Sequence, residues 1–222
     1  MNEAAGSYNF GTFNANEKEL SRLQQQARIA SDIEIPLLRR CGLSEGMDVL
    51  DLACGPGIIS GEIARIAARV TGVDISEALL ETARTHSRKN GIENVEFLQG
   101  DVYKLDLGAR KYDFVYARLL FQHLEEPLLA LENIGKLLKP QGRLCILDID
   151  DSWLSLYPEP AGFSSFTSLA GQGQKAAGGD RHVGSKLGYL LQKSGYRDVN
   201  MDVELLSSRH IGMKAFLDIT TG

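Results

Sequence analysis

The run Val49-Leu50-Asp51-Leu52-Ala53-Cys54-Gly55-Pro56-Gly57 limits what this chain can become more than any other stretch. Apolar residues from Met47 lead to a carboxylate at Asp51, and a Gly/Pro-rich turn follows. Ile59, Ile63 and Ile66 then recur at helical spacing. A strand, a tight loop and a helix in that order form the first half of a βαβ unit, which commits the chain to a parallel sheet with helices packed on it. Gly55 and Gly57 are expected to let the backbone approach a ligand where a side chain would collide. The helix starting near Ile58 turns its free N–H groups toward the same place.

Two further acids stand where the next strands should end. A short strand, Val70 to Val73, is followed by Asp74, 17 residues beyond Gly57. That is close to one helix plus one strand, and a carboxylate at such a tip can accept both hydroxyls of a ribose. The third strand, Val95 to Gln99, runs into Gly100-Asp101-Val102. A nicotinamide enzyme would use the same ribose acid, but its G-x-G-x-x-G loop needs a third glycine. Ser60 occupies that position here, and Gly61 comes one residue late.

With its leading acid the loop reads D-x-x-C-G-x-G, and it resembles the first motif of the class I S-adenosylmethionine-dependent methyltransferases. Gly72-Val73-Asp74-Ile75-Ser76 is similar to their second motif, and the match runs in order from Asp51 to Leu124. Leu138-Lys139-Pro140 and Leu190 to Tyr196 fit the last helices, and the ubiquinone/menaquinone-biosynthesis and natural-product type is the nearest. The resemblance implies that Asp51, Ala53, Gly55 and Gly57 hold the methionine end of S-adenosylmethionine. It places Asp74 and Ile75 at the ribose, Asp101 at the adenine amino group, and the Val102 N–H at a ring nitrogen. Many members carry glycine at the position of Ala53. The implied fold is α/β, a Rossmann-like, doubly wound, mostly parallel sheet with helices on both faces. Seven strands are expected, the last antiparallel and inserted beside the sixth. Only Leu206 to Gly222 follow the sixth, so the seventh is either missing or held in a tight hairpin.

At 222 residues and 43% hydrophobic content the chain suits one domain with an ample core. It divides into an arm with leading helices (1–46), a cofactor-binding core (47–150), a lid-like insertion (151–182) and a closing helix and strand (183–222). A formal net charge of -5 without a basic run disfavours nucleic acid. Cys41, Cys54 and Cys145 lack the spacing of a zinc site or disulfide framework. No apolar run reaches membrane-spanning length and no signal peptide is visible, so the reading is a cytoplasmic protein off the membrane.

Met1 to Asn16 form a polar, aromatic-dotted arm without period. Leu20, Leu23, Ala27 and Ala30 give an amphipathic helix from Glu17 to Ser31, which Pro36 is expected to interrupt before a short helix ending at Gly42. Gln24 to Gln26 read as a solvated face, yet this helix resembles one that lies over the cofactor in some relatives, so Gln26 is also a candidate for the cofactor carboxylate. Ser76 caps the next helix, which runs to about Asn90. The fourth strand, Tyr112 to Tyr116, leads past the topological switch point to Arg118 and His123. Arg118 is expected to contact the cofactor through its backbone, with its side chain pointing elsewhere; His123 either orients the loop or acts as a general base.

Pro127 opens a helix through Leu138; Lys139 to Gly142 is expected to turn, and Arg143 to Ile149 to form the fifth strand. Asp148, Asp150 and Asp151 cluster at its end without a His or Glu nearby, so no metal is assigned. Ser152 to His182 carry Trp153, Tyr157 and Phe163 without period, then a polar glycine stretch. The insertion suits a lid over a small-molecule acceptor, a satellite helix, or the contact of a homodimer. A helix from Gly184 to Ser194 and a strand from Asp198 to Leu205 follow, and Met213, Phe216 and Leu217 have helical spacing. The expected reaction is methyl transfer to a small molecule by in-line displacement, leaving S-adenosylhomocysteine; the competing readings are a non-catalytic adenosyl-ligand-binding protein and a nicotinamide-dependent oxidoreductase.

Overall fold

The computed structural model describes residues 17–213 and 216. The N-terminal arm before Glu17 and Leu217 lie outside the described residues. Five parallel strands make one sheet in the order β3-β2-β1-β4-β5: β1 Asp48–Leu52, β2 Arg69–Asp74, β3 Val95–Gln99, β4 Tyr112–Arg118 and β5 Leu138–Leu147. The order reverses between β1 and β4, so a crevice opens at the carboxyl ends of those two strands. All five sheet strands arrive near their expected positions.

Strand alternation builds a core on each face. Val49, Phe114 and Tyr116 point into a cluster closed by α1 (Glu17–Arg40) and α2 (Ile58–Ala64). Leu50, Leu52, Val115 and Ala117 point the other way, against α4 (Pro127–Leu137) and α6 (Leu187–Lys193). On the outer strands, Leu80 and Ala83 of α3 (Glu77–Lys89) pack on Phe97. Ser76 caps α3, its hydroxyl accepting from Leu79 N at 3.4 Å.

Several expectations are overturned. Pro36 does not end the first helix: α1 runs unbroken through it to Arg40. Leu37 and Leu38 are both buried in the core just beyond, and that burial offsets the roughly 3 kcal/mol cost of an interior proline. Lys139 to Gly142 do not turn the chain but lie within β5, where the pairing with β4 shifts register and Gln141 takes a φ of 66°. A Cβ at Gly142 would meet Tyr112 O at 2.8 Å, so the bulge needs glycine there.

The insertion is not free of period: α5 (Phe163–Ala176) occupies it, invisible to an apolar-stripe search because none of its residues is buried. The expected sixth strand is also absent among the described residues. Asp198 to Leu205 alternate polar and apolar yet pair with no strand, leaving Met201, Val203 and Leu205 exposed. The chain ends its described part in α7 (Ser208–Ile211) and Phe216, which is buried. Among the described residues no helix is long and apolar enough to cross a membrane.

Candidate functional site

A cavity of about 1670 Å³ opens over the carboxyl ends of the strands. Gln26, Asp51, Ala53, Gly55, Asp74, Ile75, Asp101, Val102, Arg118 and His123 all line it. Gly57 does not. A Cβ at Gly57 would meet Ala83 Cβ at 2.6 Å and Phe97 Cζ at 2.8 Å, so this glycine lets α2 and its loop pack on α3 and β3. Gly55 is the reverse case: its φ is 54° and a Cβ there would point into open space. Ala53 holds a φ of 56°, a left-handed conformation that costs an alanine about 1 kcal/mol, and Leu119 across the cavity has a φ of 50°.

The two strand-tip acids are tied into the loops around them. Asp51 is 2% exposed, and Ser60 Oγ on α2 donates to its Oδ2 at 2.5 Å. Burial pushes its carboxyl up to about 7, against the Ser60 hydrogen bond and the Arg118 charge. Asp74 joins the glycine loop to α3: Gly55 N donates to Oδ2 at 2.8 Å and Ser76 N to Oδ1 at 2.9 Å. Burial raises its pKa as well. Each Asp74 oxygen keeps a lone pair beyond these bonds. Asp101 Oδ1 accepts from Tyr103 N at 2.9 Å, and the neighbouring Ile75 is 60% exposed, an apolar platform at the cavity rim.

The far wall belongs to β4, β5 and the insertion. Arg118 turns its side chain toward α1, where Nε donates to Glu34 Oε1 at 2.6 Å, and Tyr116 OH donates to Glu34 Oε2 at 2.9 Å. Glu34 is 3% exposed and escaped the sequence reading. Its signal is placement: it stands seven residues after Ala27 and four before Leu38, an acid on the apolar stripe of α1. His123 ends a 3-10 turn, Phe121–His123. Burial, then the charges of Arg181 and Arg22, lower its imidazole to about 4, so it is uncharged near neutral pH but a weak proton acceptor.

Asp148 anchors that turn: its Oδ2 accepts from Gln122 N at 3.2 Å and its Oδ1 from Ile149 N at 2.9 Å, and burial raises it to about 6. The insertion docks here too, through Gln174 Nε2 donating to Gln122 O at 2.8 Å and an Arg181–Asp151 ion pair. Trp153 and Tyr157 line the cavity and are 69% and 101% exposed; Phe163 stands away from it. Among the described residues no cluster of His, Cys, Asp and Glu could hold a metal ion.

Residues 43–193, more than half of the chain, match the family model described as "Methyltransferase domain". Ubiquinone biosynthesis O-methyltransferase from Coxiella burnetii is 34% identical over 100 residues, which cover 45% of this chain and 42% of that protein. The chain thus spans less than half the length of the curated relatives it matches. A SAM-dependent methyltransferase structure from Aquifex aeolicus superposes with a TM-score of 0.56 at 25% identity, over 72% of this chain and 77% of that one. The [4+2]-cyclase SpnF has a TM-score of 0.59 at 23% identity, over 74% of this chain and 57% of its own, a likeness of fold alone.

Proposed function

Because the chain belongs to the methyltransferase domain family, we propose that it transfers a methyl group from S-adenosylmethionine to a small-molecule acceptor. The observation that carries this reading is the convergence of Asp51, Asp74 and Asp101, from three successive strand ends, on one cavity beside an open glycine turn. Those residues fit the cofactor chemically. Asp74 has lone pairs left for ribose hydroxyls, Ile75 and Val102 offer an apolar surface to adenine, and the space at Gly55 admits a close ligand. Asp51 and Gln26 would serve the amino and carboxylate groups of the methionine end.

When bound, the cofactor supplies an electrophilic methyl on a sulfonium, a reaction that asks the protein for alignment and exclusion of water. Arg118, fixed by Glu34, and the turn from Phe121 to His123, fixed by Asp148, shape the wall opposite the adenosine side. A pKa near 4 favours His123 as an orienting hydrogen-bond partner over a general base near neutral pH. The names of the curated relatives and the aromatic rim at Trp153 and Tyr157 support a hydroxylated aromatic as the acceptor class.

Titration calorimetry with S-adenosylmethionine, S-adenosylhomocysteine and NAD tests the cofactor, and a methyl-transfer screen against phenols, quinols and amines tests turnover. Asp74→Ala is expected to weaken S-adenosylmethionine binding by about tenfold or more, because charge-assisted bonds to the ribose are lost. An unchanged affinity would remove the ribose assignment. Binding of NAD in preference to both sulfur ligands would remove the methyltransferase reading.

A further inference from the structure

The far wall of the cavity carries a guanidinium with donors to spare. Arg181 lines the cavity, and its side chain is 23% exposed. Its Nε donates to Asp151 Oδ2, its Nη2 to Asp151 Oδ1 at 3.3 Å, and its Nη1 to Gln174 Oε1 at 3.3 Å. An arginine has five N–H groups, so one on each terminal nitrogen has no partner among the described residues. The neighbouring acids are engaged elsewhere: Asp148 accepts from Gln122 N and Ile149 N, and Asp150 from Ser152 N and Ser185 N.

Two links fix this guanidinium within the wall. Asp151 N donates to Arg181 O at 2.9 Å, so these residues are joined through backbone as well as side chain. Asp151 also opens the 3-10 turn Asp151–Trp153, which ends on the exposed indole. On the other side, Asp180 N and Gln174 Nε2 donate to Gln122 O at 2.7 and 2.8 Å. That sets the residue before Arg181 against the residue before His123. Trp153, Arg181 and His123 thus reach one part of the cavity from three separate stretches of chain.

We propose that Arg181 selects the methyl acceptor by a carboxylate, which makes the substrate class a hydroxylated aromatic acid. The inference rests on the methyl-transfer reading of the same cavity and narrows its acceptor. N–H groups on the two terminal nitrogens of a guanidinium suit the two oxygens of a carboxylate, and the bonds are charge-assisted; a neutral ring substituent lacks the charge. Asp151 grips the guanidinium through Nε and Nη2, which fixes its plane before a ligand arrives and lessens the ordering cost of binding. It also offsets part of the positive charge, and Arg22 of α1 adds a second cation to the cavity lining. The aromatic ring meets Trp153 and Tyr157 at the rim, and the hydroxyl is directed to the turn that ends at His123.

The test is titration calorimetry of the full chain, with and without saturating S-adenosylhomocysteine, using protocatechuic acid and its carboxamide as probes. The acid should bind about tenfold or more tightly than the carboxamide, and kcat/KM for methyl transfer should favour it by a similar factor. Arg181→Gln should bring the acid down to the level of the carboxamide, with the affinities for carboxamide and S-adenosylhomocysteine unchanged. Asp151→Asn keeps an acceptor for the guanidinium but removes its counter-charge, so it should shift the preference further toward the acid. A wild type that binds the acid no more tightly than the carboxamide, or binds neither, overturns the inference. A preference that survives Arg181→Gln, or that Asp151→Asn leaves unmoved, does the same. Methyl transfer to the carboxamide at least as fast as to the acid removes the carboxylate and leaves the reaction standing. Absence of methyl transfer to any acceptor, with an Arg181-dependent preference for the acid intact, removes the reaction and leaves the anion site.

Discussion

Asp51 shows what burying an acid at the candidate site costs in stability. Its carboxyl titrates at about 7 in the folded chain and near 3.8 when unfolded. The folded state keeps its proton over that interval while the unfolded state releases it, so folding is progressively disfavoured as pH rises from about 4 to about 7. Above the folded pKa the penalty is complete. Asp51→Asn should therefore raise the stability of the ligand-free protein at pH 8 by an amount on the order of 3 kcal/mol. At pH 4 it should gain almost nothing, and Asn can still accept from Ser60. Denaturant unfolding at the two pH values measures this, and equal gains at both would place the liability elsewhere. On the proposed function the same variant should also bind S-adenosylmethionine more weakly, read by titration calorimetry.

Between elements, Glu34 ties α1 to the sheet through Arg118 and Tyr116 of β4. Glu34→Gln keeps an acceptor for Tyr116 but leaves Arg118 without its counter-charge. It should cost about 3 kcal/mol in thermal or denaturant unfolding, since breaking one partner of a buried pair strands the other. At the aromatic rim of the cavity, replacing Trp153 and Tyr157 together by Ala should, on the proposed function, spare S-adenosylmethionine affinity on titration while lowering methyl transfer or changing the preferred acceptor. Their exposure means little core is lost, so an unfolded double variant would contradict their place at the rim. The sheet strands and α2, α3, α4 and α6 were legible because their apolar periods match the faces they bury. α5 was not, for it buries no residue, and the 198–205 alternation misled because it announced a strand without supplying a neighbour. Asp51, Asp74 and Asp101 were legible from strand ends alone. Glu34 was not, because its meaning depends on Arg118, 84 positions away.

For the whole molecule, the course of α1 through Pro36 bears on the cavity, because α1 supplies part of its wall. Pro36, the twentieth of the 24 residues of α1, has no N–H, so the carbonyl four residues earlier lacks its helical partner near the C-terminal end of the helix. The four residues after it bury Leu37 and Leu38 and lead to Cys41, whose carbonyl accepts from Arg143 Nη1, while the longer stretch before it carries Gln26 in the cavity wall. The missing bond is expected to act as a fulcrum, with a consequence for timing rather than affinity. A helix that opens cheaply lets spent cofactor leave, and departure of product commonly sets the turnover of enzymes that enclose their ligands. Pro36→Ala would restore the ladder and stiffen the fulcrum. It should slow S-adenosylhomocysteine dissociation and lower kcat several-fold in pre-steady-state experiments, leaving the single-turnover rate of methyl transfer unchanged.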